Sequence, residues 1–157
     1  MHCIAGWSDR QVIEMVENTY SGSCHCGSIG YMYFTAVPPE EWSIRSCQCA
    51  FCRAHDALST SDPQGRIAFS TADPSLLQRY RFALKTADFL LCRRCGVYIG
   101  AVIEAASGRF GIINTHSLTP VPENIAAVAP ISYDSEDTSG RVTRREGRWT
   151  PVSGVPW

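Results

Sequence analysis

Gly22-Ser23-Cys24-His25-Cys26-Gly27-Ser28-Ile29 sets two cysteines one residue apart between glycines, and Leu91-Cys92-Arg93-Arg94-Cys95-Gly96 repeats the device with two residues between the thiols. Thiols that close in sequence cannot bridge each other without a strained loop. A short turn can, however, aim both thiolates at one tetrahedral metal ion. The flanking glycines permit the tight reversal such a turn needs. Taken together, Cys24, Cys26, Cys92 and Cys95 read as a closed, structural site that clasps a strand beginning near Ser28 to one beginning at Val97. Arg93 and Arg94 lie inside the second turn and would offset the surplus negative charge of four thiolates.

Between the two pairs stands Cys47-Gln48-Cys49-Ala50-Phe51-Cys52, three thiols within six residues. Three protein ligands with an exchangeable fourth position is the arrangement of a catalytic zinc site. His55, three residues past Cys52, is the candidate to close that site, which would make it structural instead; the alternative is a side chain that points to solvent, since a lone histidine is usually not a ligand. The plain alternative for all seven cysteines is a set of buried thiols acting as small apolar side chains, and three tight clusters argue against it. Cys3, the eighth, reads as incidental, and His2, His25 and His116 as ordinary surface or hydrogen-bonding residues.

With 157 residues, 45% hydrophobic and 18% charged, the chain suits a single soluble domain over 1–157. Its formal net charge of -1 leaves no basic footprint for nucleic acid. No stretch approaches the roughly 20 apolar residues that span a bilayer, so no membrane partner is expected. Clustered cysteines without a basic leader and apolar run fit a reducing compartment, and a cytoplasmic protein is the expectation.

Hydrophobic periodicity predicts a helix over 8–18, opened by Ser8 and Gln11 in a capping-box pattern. Strands are predicted over 28–35, 66–70, 80–84 and 89–91, and a hairpin over 97–104 and 109–114 turning at Ser107-Gly108. Short strands at this density argue for a mainly antiparallel β domain. Residues 131–157 turn polar and arginine-rich. They read as a solvated tail or long loop, or else as an arm packing on a second subunit of a homodimer through Trp149 and Trp157.

The three cysteine groups, in this order and at these separations, resemble the glutathione-dependent formaldehyde-activating enzymes, grouped with centromere protein V, and the likeness covers a family-like core at about 20–130. The resemblance implies a β-tent of coiled antiparallel sheets holding two zinc ions. One would be structural on Cys24, Cys26, Cys92 and Cys95, and the second would sit on Cys47, Cys49 and Cys52. It also implies a carbon–sulfur lyase that adds a glutathione-like thiol reversibly to a small aldehyde such as formaldehyde. Arg53 and Arg45 flank the second site and would hold a glutathione carboxylate or balance surface charge, while His55 or Asp56, if not a ligand, would move the proton. The chain departs from the family pattern at Ala54-His55-Asp56-Ala57 and at Thr119-Pro120. Two other classes stay open: a non-catalytic zinc module for a protein partner, and a redox or metal-buffering protein.

Overall fold

Residues Ile29, Tyr31, Tyr33 and Thr35 are buried while Met32 between them is exposed, the period-two alternation of a strand with one face on a core. In the computed structural model, which describes residues 17–157, this segment is the second of eleven strands. In chain order they are β1 (Asn18–Ser23), β2 (Ile29–Thr35), β3 (Ile44–Cys47), β4 (Leu58–Thr60), β5 (Arg66–Thr71) and β6 (Leu77–Tyr80). β7 (Asp88–Cys92), β8 (Tyr98–Ala105), β9 (Gly108–Asn114), β10 (Val128–Ile131) and β11 (Thr150–Gly154) follow. Two helices interrupt them, α1 (Ala50–Ala54) and α2 (Thr138–Arg148). The helix expected over 8–18 lies outside the described residues except at its end, where Asn18 already opens β1.

The fold is mainly β, as the sequence predicts. One path of pairing runs β1-β2-β5-β11-β9-β4-β3-β10, with β8, β7 and β6 branching from β9. Antiparallel pairing dominates among the described residues, but β10 lies parallel to β3 and β11 parallel to β5. Both exceptions involve strands from the C-terminal quarter.

β8 explains how the interior is divided. Its first six residues are all buried, because both of its faces are covered. Ile99 and Val102 point into one apolar cluster with Leu90, Ile113, Cys24 and Cys92. Tyr98, Ala101 and Ile103 point into the other with Phe89, Ile112, Trp149 and Cys52. The three-stranded unit β7-β8-β9 therefore carries one cysteine group on each side.

Two expectations need correction. The strand predicted over 80–84 ends at Tyr80, because Ala83 and Lys85 take left-handed backbone with φ of 49° and 55°, which breaks an extended run. The stretch after Pro130 is neither solvated tail nor long loop. Asp137 accepts from the Gly140 N–H and caps α2, and β11 then threads between β5 and β9. Trp149 is buried within the chain beside Arg145 and is not presented to a partner. Arginine on the inward face of α2 disguised the helix as a surface element. Among the described residues no helix is long and apolar enough to cross a membrane.

Candidate metal centres

The two outer cysteine pairs meet. Each turn closes on a backbone hydrogen bond, Gly27 N–H to Cys24 C=O at 2.9 Å and Gly96 N–H to Cys92 C=O at 2.8 Å. Gly27 and Gly96 share one backbone shape, φ 74° and 75°. A side chain there would meet no atom within 4 Å, so conformation alone demands glycine. Gly22 does not turn the chain as the sequence suggested; it lies in β1, where a Cβ would overlap the Tyr31 ring.

The four sulfurs of Cys24, Cys26, Cys92 and Cys95 lie within 4.8 Å of one another, with Cys24–Cys26 at 3.7 Å and Cys26–Cys92 at 3.5 Å. Those separations fit the edge of a sulfur tetrahedron with metal bonds of 2.3 Å, about 3.8 Å. All four are free thiols. The Ser28 hydroxyl and N–H pull the Cys26 thiol down to about 6, which prepares a thiolate ligand. Arg94 reaches the Ser28 hydroxyl at 3.5 Å, so one of the two turn arginines stands beside the site. Arg93 instead donates to the Leu77 carbonyl.

The second group forms at the end of β3. Cys47 closes that strand, and Cys49 caps α1 through its sulfur, which accepts from the Cys52 N–H at 3.4 Å. The turn of α1 brings Cys52 back to the other two, and the three sulfurs lie within 4.8 Å of one another. A hydrogen bond from Cys52 draws Cys47 down to about 6, while Cys52 itself is pushed up by holding that proton and by burial. This donor set suits a thiophilic divalent ion.

A cavity of about 300 Å³ opens on these three sulfurs and on no other cysteine. Its apolar wall is the loop from Phe82 to Ala87 together with Phe89; the opposite wall is polar, built from Tyr133, Glu136 and the arginines of α2. Asp88 pins the loop, taking a two-point contact from Arg81 at 2.7 and 2.9 Å and another from Arg79 at 2.8 Å.

The model of the glutathione-dependent formaldehyde-activating enzymes matches residues 19–133. The chain belongs to that family. A solved structure of a Rhodobacter sphaeroides protein is 22% identical, with a TM-score of 0.49 over 69% of this chain and 99% of its own. No curated protein matches. The matched residues contain both cysteine groups and stop short of α2 and β11.

Of the residues singled out in the sequence, all seven clustered cysteines are brought into their two groups. His55 is not brought to the second. It stacks on Phe51 with ring centroids 4.4 Å apart and lines a separate cleft with Cys95, Tyr98 and His116. Arg53 is exposed and makes no ion pair among the described residues, whereas Arg45 lines a small recess behind Cys47 and Cys52. Asp56 is exposed and sits 4.0 Å from His116. The sequence reading missed the α2 arginines. Their spacing, Arg141, Arg144, Arg145 and Arg148 after a capping Asp137, is the signal that points to a helix with a cationic face.

Proposed function

We propose that this protein adds a thiol, glutathione or a close relative, reversibly to a small aldehyde such as formaldehyde, at the Cys47–Cys49–Cys52 centre. The observation that carries the reading is the contrast between the two sulfur groups. Four converging donors make the first group complete, while the second offers three donors and a cavity at their open side. Zinc held by three thiolates supplies one further coordination position and lowers the pKa of a thiol bound there.

The chain's own residues do the rest. Phe82, Leu84 and Phe89 cover one side of the cavity and keep water from the sulfur nucleophile. Cys47, Cys49 and Cys52 are fixed by a strand end, a helix cap and a helix turn, so a reactant meets a preorganised site. In the forward direction the thiol loses its proton, the carbon–sulfur bond forms, and the carbonyl oxygen takes up a proton to give a hydroxymethyl thioether. The reverse reaction breaks the same bond. Small-molecule thiol and aldehyde are the partners this reading requires.

NMR exchange spectroscopy on glutathione with formaldehyde tests it. The protein is expected to accelerate exchange between free and hydroxymethylated glutathione, and Cys49→Ser to abolish the acceleration. Exchange no faster than in buffer, across several thiols and aldehydes, would contradict the reading and leave a zinc-binding interaction module in its place.

A further inference from the structure

The residues matched by the family model end at 133, inside the polar wall of the cavity. Most of the positive charge of that wall comes from α2, which lies beyond the matched residues. Three of its arginines, Arg141, Arg144 and Arg145, face the cavity over the cysteine centre. Arg141 and Arg144 share Glu136, the latter in a two-point contact, and Arg144 also lies over the Tyr133 ring at 3.7 Å.

Arg145 differs. It is 7% exposed, and no carboxylate among the described residues pairs with it. One of its amino groups donates to Thr86 Oγ1 at 2.6 Å, its guanidinium faces the Trp149 ring at 4.7 Å, and its Nε has no hydrogen-bond partner. An unpaired buried guanidinium is costly unless an anion meets it.

Behind Cys47 and Cys52 lies a recess of about 50 Å³, lined by Arg45, Arg144 and Arg145 against Phe89, Ile112 and Trp149, and it shares Phe89, Arg144 and Arg145 with the cavity. Arg45 also has no acidic partner among the described residues; it donates to Ser61 Oγ. A water occupies about 30 Å³ of liquid, so the recess has room for one carboxylate-sized group. Charge bookkeeping points the same way. Arg45, Arg141, Arg144 and Arg145 face Glu136 and the exposed Asp134, which is engaged by Ser132. Three thiolates on a divalent ion contribute one net negative charge, which leaves one guanidinium uncompensated.

We propose that Arg145, with Arg45 beside it, anchors a carboxylate of the thiol substrate, so that the C-terminal helix selects acidic thiols over neutral ones. This rests on the thiol–aldehyde reading of the cysteine centre. It is tested without that chemistry, using S-methylglutathione, a thioether that keeps the carboxylates but offers no thiol.

Calorimetric titration of the metal-loaded protein with S-methylglutathione and with its diethyl ester gives the readout. The acid is expected to bind about 10-fold or more tighter than the ester, as one charge-assisted contact allows. Arg145→Gln is expected to bring the two within about 2-fold without loss of bound metal, while Arg148→Gln on the exposed face of α2 leaves the preference intact. Equal binding of acid and ester by the unaltered protein overturns the proposal. So does a preference that survives Arg145→Gln, or a variant whose only defect is loss of metal from the three-cysteine site, which would make Arg145 a counter-charge to the thiolates. Should Arg145→Gln not fold, Arg45→Gln decides by the same comparison, and an undiminished preference again overturns the proposal. Because no aldehyde is present, failure of the anchor and failure of the addition chemistry are read separately.

Discussion

Gly27 and Gly96 hold the same left-handed backbone at φ 74° and 75°, one in each turn of the four-cysteine clasp. Nothing crowds either position, so any side chain there pays only for its conformation. Gly96→Ala is therefore expected to cost about 1–2 kcal/mol of stability, seen as a lower denaturation midpoint with an unchanged slope. A cost near zero would show that the turn relaxes and that glycine is incidental. At this scale the sequence was most legible: cysteine spacing and the glycine after each pair predict the turns directly. Gly22 was misread because its role is to admit the Tyr31 ring, whose hydroxyl bonds to the Asn114 carbonyl and the Ser117 hydroxyl across the sheet. A contact between residues so far apart in the chain leaves no local mark. The place of His55 was left open in the sequence for a related reason. Its distance from Cys52 in sequence suits one helical turn, but α1 ends at Ala54 and the ring turns onto Phe51.

Among the elements, the loop between β6 and β7 depends on Asp88. Its carboxylate is 5% exposed and held by Arg79 and Arg81. Burial alone would raise its pKa, but the two guanidiniums outweigh burial and lower it below the ordinary carboxylate value. A carboxylate whose folded pKa is depressed stabilises the fold above its unfolded pKa, about 3.9, and loses that contribution as pH falls through the folded value. The melting temperature is thus expected to drop below about pH 4, and Asp88→Asn to flatten that part of the profile while costing about 1–2 kcal/mol at neutral pH. An identical acid limb in the variant would assign the acid sensitivity to other groups. The hairpin β8–β9 was readable from two apolar runs and the Ser107-Gly108 turn between them. α2 was not, because only Val142, Arg145 and Trp149 are available to mark its inner side, and a buried arginine reads as a solvated one.

Over the whole molecule, the chain is closed by its last strand. β11 is hydrogen-bonded to β5 on one side and β9 on the other, and so joins the β1-β2-β5 strands to those that branch and continue from β9. A strand of five residues containing Pro151 has no alternation to betray it, and its place follows from tertiary pairing alone. The clasp works at the same scale. Cys24 and Cys26 follow β1, Cys92 ends β7, and Cys95 leads into β8. A metal ion bound there would contribute to folding, since thiolate affinity is realised only in the folded chain. The two sulfur groups are separate, on opposite faces of β8, so each is expected to hold its own metal ion. Metal content per folded chain decides whether both do. Two ions are expected in the unaltered protein and one in a still-folded Cys49→Ser variant. A single ion in the unaltered protein that persists unchanged in Cys49→Ser would contradict that.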